Sequence, residues 1–227
     1  MILLLHLQYK IIMMKIALFG GSGRIGQHFL KQALDSGHEV IALVRNPEKI
    51  NANHPNLTII KGDILNQKDV EKTIKDSEIS VSLFGHSFGN LKSSAKGLQT
   101  AGTENIISAM QTYGLKRIIS LSGGALPFPA KDKPKFADKL AKFIMKLAVP
   151  KVLNDAESHL DVLQKSGLEW IIIRGARFID IEKTGNYRIG WVGVNSGMQI
   201  GRADLAEFVI NQLDDDTFNY QMPFISY

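Results

Sequence analysis

Three glycines spaced three residues apart, Gly20, Gly23 and Gly26, follow directly on the apolar run Ile16-Ala17-Leu18-Phe19. The full turn reads Gly20-Gly21-Ser22-Gly23-Arg24-Ile25-Gly26. Glycine at such a junction lets the chain turn sharply out of a strand. It also lets the backbone approach an anion with no Cβ in the way, and lets the next helix pack close to the sheet. A helix is expected immediately afterwards, because Ile25, Phe29, Leu30, Ala33 and Leu34 recur on one face. The unpaired N–H groups and positive dipole end of such a helix suit a pyrophosphate. Glycine triplets also occur in bare turns, so the dinucleotide-binding reading rests on the order strand, turn, helix.

The second apolar run ends in Val44-Arg45-Asn46-Pro47. Sites specific for NAD place a carboxylate at the end of the second strand, where it accepts from the ribose 2′-OH. Arg45 stands there instead, and a guanidinium can grip a 2′-phosphate with two hydrogen bonds. Arg24, within the turn, could reach the same group. Two arginines and no carboxylate predict NADP(H) over NAD(H). Asp63, followed by Ile64, is placed to meet the adenine amino group, although it equally suits a plain turn aspartate.

Elements that would position these residues alternate along the chain. Strands are expected at 16–19, 39–44, 57–60, 79–84, 117–121 and 169–173, and a short helix or turn at 48–50. Helices are expected at 67–74, 94–113, 135–149 and 153–166, with Gly114 and Gly167 as terminators. Strands read as continuous apolar runs belong to a sheet covered on both faces. The pattern predicts a doubly wound parallel sheet with right-handed crossovers, and ligands beyond the carboxyl ends of the strands. After residue 175 the pattern loosens into a hairpin or strand at 187–194, a helix at 202–213 and a final strand at 218–225.

The chain has 227 residues, 44% of them hydrophobic, enough for one well-buried domain. Residues 1–13 read as an N-terminal extension from an upstream start, and 14–227 as the domain. There is no cysteine, which excludes disulfides and thiolate chemistry, and the six histidines lack metal-ligand spacing, so no metal is expected. The net charge is +5, with its densest basic group at Lys131, Lys133, Lys135, Lys139, Lys142 and Lys146. The chain shows no stripe of basic and aromatic residues of the kind that reads nucleic acid, and no nucleic-acid binding is expected. The first seven residues are apolar apart from His6 but too few to span a bilayer, and no membrane association is expected. A cytoplasmic protein is the expectation. The apolar spacing of Phe143, Ile144 and Leu147 would allow a homodimer, with a monomer as the alternative.

The succession Gly20–Gly26, Val44-Arg45-Asn46-Pro47, Lys61-Gly62-Asp63, Leu121-Ser122-Gly123 and Ser166-Gly167-Leu168-Glu169-Trp170 to Arg174 resembles the atypical short-chain dehydrogenase/reductases. Within them it is most similar to the NAD(P)H-binding, NmrA-like group that includes biliverdin-IXβ and flavin reductases. The resemblance covers residues 14 to about 225 and implies a Rossmann-like α/β fold in a single domain. It implies that Phe84 and Gly85 pack by the cofactor ribose, and that Leu121, Ser122 and Arg174 lie at the nicotinamide side. In the wider superfamily a serine follows the fifth strand, and a Tyr-x-x-x-Lys on a later helix supplies the acid that protonates a carbonyl. Ser122 fits the first position, though it also suits an ordinary turn. No tyrosine lies between Tyr113 and Tyr187, so the dyad is absent. Hydride transfer to a flat conjugated acceptor needs less help, because the proton can come from solvent. His86 and Phe128 are the acceptor-side candidates. Phe136, Phe143 and Met145 could line an apolar pocket. Glu157 and His159 occupy the helix of the missing dyad, where a solvated face is the plainer reading. The resemblance thus implies an NADPH-dependent reductase or, alternatively, a non-catalytic NADP(H) sensor.

Overall fold

The computed structural model describes residues 13–85 and 97–227. Positions 1–12 and His86 lie outside them, as does the start of the helix expected at 94–113. Strands β1 (Lys15–Phe19), β2 (Glu39–Val44), β3 (Leu57–Lys61), β4 (Ile79–Ser82), β5 (Arg117–Gly123), β6 (Glu169–Gly175), β10 (Phe224–Ser226) and β8 (Arg188–Gly190) form one sheet in the order β3-β2-β1-β4-β5-β6-β10-β8. Every pairing is parallel except β10 with β8. Two further strands, β7 (Arg177–Ile179) and β9 (Gln199–Gly201), pair separately. The order reverses between β1 and β4, which is the switch point where a doubly wound sheet binds its ligand.

The helices are α1 (Arg24–Asp35), α2 (Gln67–Ile74), α3 (Leu98–Tyr113), α4 (Phe136–Ala148), α5 (Pro150–Lys165) and α6 (Arg202–Asn211). Two apolar layers follow from strand alternation. Ile16, Leu18, Val81, Ile119 and Ile173 pack with Phe29 and Leu30 of α1 and Leu205 and Phe208 of α6. Ala17, Phe19, Ile118 and Ile172 pack on the other face with Ile106 and Met110 of α3 and Leu163 of α5. Strand β3 departs from the expectation of runs covered on both faces, since Thr58, Ile59 and Lys61 are exposed at the sheet edge. Pro150 does not merely separate α4 from α5. It occupies the first turn of α5, where a missing N–H costs nothing.

Candidate cofactor and acceptor site

The glycine turn is shaped by contacts that leave no room for side chains. Gly20 has φ of +88°, and a Cβ there would stand 2.5 Å from the Phe84 nitrogen at the end of β4. A Cβ on Gly26 would stand 2.1 Å from the Gly20 carbonyl oxygen. The first α1 residues are thereby held against the turn that leaves β1. Gly23 is the N-cap of α1 and no side chain caps that end. The N-terminus therefore keeps backbone donors for an anion, and the cradle fits a dinucleotide pyrophosphate.

The ends of the neighbouring strands gather around this turn. Arg45 follows β2 and is exposed, as is Arg24. Arg24 has a long, exposed ion pair with Asp180 (3.7 Å), and Asp180 also holds the buried Arg202 at 2.6 Å. Asp63 follows β3, and one of its carboxylate oxygens accepts from the Leu65 N–H (2.9 Å). It braces its own turn, which is the plainer of its two readings. Ile64 and Phe84 meet over Gly102 of α3, where a Cβ would come within 2.8 Å of Ile64 and 2.7 Å of Phe84. Those two side chains form an apolar wall beside the glycine turn, and Gly85 continues from it at an exposed position. A groove of about 720 Å³ lies on the outer side of α1, between that helix and residues 50–54, and shares only the Arg24–Asp180 pair with this constellation.

The side that the resemblance assigns to the nicotinamide is built from β5. Leu121 and Ser122 are both buried, and the Leu121 carbonyl accepts from Gln99 Nε2 (3.0 Å). Ser122 Oγ is buried and has no hydrogen-bond partner among the described residues, and the same holds for Ser80 and Ser82 of β4. A buried hydroxyl without a partner is costly, so an orphan at a strand's carboxyl end suits a ligand contact.

Helix α5 reaches β5 at Ser120, two residues before Ser122, with groups already committed. The carboxylate of Asp155 accepts from the N–H groups of Gln99 (2.9 Å) and Thr100 (3.0 Å) and from the Thr100 hydroxyl (2.6 Å). It thereby serves as the cap that Gly97, with no side chain, does not give α3. His159 is fully buried between the hydroxyls of Thr103 (Nδ1, 2.9 Å) and Ser120 (Nε2, 3.0 Å). Burial lowers its pKa to about 4, against a smaller opposing pull from Asp155. The expected solvated face is thus corrected at His159. At exposed Glu157 it holds, with Lys142 at 4.0 Å.

Arg174 also differs from its expected place beside the cofactor. It is fully buried, donating to the carbonyls of Met222 (2.9 Å) and Leu126 (2.7 Å) and forming a two-pronged ion pair with Asp132 (2.8 Å each). Asp132 further accepts from the N–H groups of Phe128 (2.7 Å) and Val192 (3.1 Å). The pair ties the segment after β5 to the turn after β8. Phe128 is held there half-buried, its ring 5.8 Å from that of Trp191, an aromatic neighbour the sequence did not suggest. Phe136 and Phe143, expected to line a pocket, point to solvent instead, and Met145 is half-buried. Among the described residues no group of side chains could hold a metal ion, and no helix is long and apolar enough to cross a membrane.

Fold and turn together define a dinucleotide-binding protein of the doubly wound class. The chain belongs to the NAD(P)H-binding family, which residues 20–216 match. It is 27% identical over 207 residues to the uncharacterised protein YwnB of Bacillus subtilis, covering 88% of this chain and 92% of that one. Among solved structures it is similar to ChuY, an anaerobilin reductase of Escherichia coli O157:H7, with a TM-score of 0.75 at 17% identity over 93% of this chain and 96% of that one. A short-chain dehydrogenase/reductase of Veillonella parvula in complex with NADP superposes with a TM-score of 0.72 at 18% identity, over 95% of each chain. At these identities the two structures establish a shared fold.

Proposed function

We propose that the protein is an NADPH-dependent reductase of a flat, conjugated small-molecule acceptor, such as a flavin, a quinone or a linear tetrapyrrole. The observation that carries this reading is the face of α5 turned to β5, where His159 meets Ser120, two residues before Ser122 on the same strand face. The helix face holds no phenol and no lysine, and its two titratable groups there, Asp155 and His159, are engaged in structural hydrogen bonds. No side chain of that helix face is therefore offered to protonate an isolated carbonyl. NADPH would supply the hydride, and the single proton that completes the reduction would come from solvent. The glycine turn would hold the pyrophosphate and Arg45 the 2′-phosphate. Ile64 and Phe84 would pack on the adenosine half, and Ser122 Oγ would donate to the nicotinamide amide or to the acceptor. Catalysis would then consist mainly of holding two planar systems face to face. The similarity to an anaerobilin reductase supports a reductase reading.

A second reading, an NADP(H) sensor without turnover, is favoured by the same engaged groups, since a site with no titrating acid also suits pure binding. Steady-state assays with FMN, riboflavin, a simple quinone and a saturated ketone separate the readings. Oxidation of NADPH by the flat acceptors and not by the ketone supports the reductase. Tight NADPH binding without oxidation by any of them supports the sensor. Ketone reduction at a rate comparable to the flat acceptors contradicts both.

A further inference from the structure

Helix α4 is turned inside out. Its half-buried positions, on the side toward the rest of the molecule, are Asp138, Lys142, Met145 and Val149 at its end. Its large apolar residues face outward: Phe136 is 82% exposed, Leu140 47%, Phe143 58%, Ile144 56% and Leu147 69%. At about 100° per residue those five fall within an arc of about 100°, and Lys139, Lys142 and Lys146 lie together beside it. No residue of α4 is fully buried.

The charge of the whole chain is concentrated on the same stretch. Of 27 basic and 22 acidic residues, seven lysines and two aspartates fall between positions 131 and 151, which leaves twenty of each elsewhere. The net charge of +5 therefore belongs to this segment. One of its aspartates, Asp132, is sequestered by Arg174. Lys131 lies over the Trp191 ring and Lys142 leans toward Glu157, while Lys133, Lys135, Lys139, Lys146 and Lys151 are exposed.

We infer that α4 is an interfacial anchor that lays its apolar arc into an anionic lipid surface. An apolar arc bordered by lysines, on a helix outside the core, is the design of a helix lying in the plane of a bilayer. The arc runs about 16 Å from Phe136 to Leu147, suited to lying in the headgroup region and too short to cross it. The lysines would meet anionic headgroups, which neutralise the local +5. A second copy is the poorer occupant, because a two-fold contact through α4 sets one such segment against another. The expectation of no membrane association came from the lack of a spanning run, which bears on crossing a bilayer and not on lying at its surface.

Flotation of the full chain with phosphatidylglycerol vesicles, against phosphatidylcholine vesicles, tests this at low and at 0.5 M salt. Binding at least ten-fold stronger to phosphatidylglycerol is expected, falling at high salt. It should drop at least ten-fold in both F143S/L147S and K139E/K146E, whose altered positions are exposed, with circular dichroism unchanged. Equal or absent binding to the two lipids overturns the inference, as does binding unaffected by either double variant. Sedimentation velocity adds one more contrary outcome: a dimer that F143S/L147S dissociates, without vesicle binding, gives the arc to a second copy.

Discussion

At the scale of single residues, the site depends on atoms that are missing as much as on those present. A Cβ on Gly26 would stand 2.1 Å from the Gly20 carbonyl oxygen, where only a hydrogen fits. Gly26→Ala must push α1 away from the turn. It is expected to lower NADPH affinity at least ten-fold, read by fluorescence titration, and to cost about 2 kcal/mol of stability. Ser122 carries the opposite kind of feature, a hydroxyl with nothing to bond. Ser122→Ala should leave the denaturation midpoint unchanged or raised, since it removes an unsatisfied buried group. It should nevertheless slow reduction of the acceptor several-fold. A loss of stability without loss of rate would assign Ser122 to the scaffold. The glycine turn and the place of Arg45 just past β2 were legible because both are local features, each set within a few residues of a strand end. The engagement of Arg174 was not legible, because its partner Asp132 lies 42 positions upstream in a segment without periodicity. Its strand is buried from Trp170 to Gly175, so alternation gives no sign of what the guanidinium meets.

Elements are joined by a few buried polar links, and these set the molecule's response to mutation and to acid. Removing one partner of a buried, two-pronged ion pair leaves the other charge unpaired, at a cost of about 3–5 kcal/mol. Arg174→Met is expected to lose about that much in urea denaturation, and pairing it with Asp132→Asn should recover part of the loss. His159 links α3, β5 and α5. Its folded pKa, about 4, lies below the ordinary 6.5, so the unfolded chain binds the extra proton first as pH falls. Stability is fully present above about pH 6.5 and declines toward pH 4, by about 3 kcal/mol from this group. His38 is shifted in the same direction, chiefly by burial. His159→Gln, which keeps a donor and an acceptor, should flatten most of the slope of denaturation midpoint against pH in that window. His159 could have been found earlier, since Ala156, His159 and Leu163 share the inward stripe of α5 and flank the expected solvated face with buried positions. The strands β7 and β9, three residues each, are too short to show a period, and only tertiary pairing creates them.

For the whole molecule, the doubly wound sheet was legible because strands and helices alternate over its first 175 residues. The order β3-β2-β1-β4-β5-β6 extends that pattern directly. What the alternation does not say is which way an amphipathic helix faces: α4 has the apolar spacing of a core helix and turns it outward. The sheet gathers the glycine turn, Arg45, Phe84 and Ser122 at the carboxyl ends of its interior strands, and the proposed function requires that gathering to be a working NADPH site. NADPH and NADH oxidation, measured side by side with FMN as acceptor for the wild-type protein and Arg45→Glu, tests it most directly. The account predicts a higher kcat/KM with NADPH, lost or reversed in the variant. Indifference to the phosphate in the wild type, or a preference that survives Arg45→Glu, would contradict it.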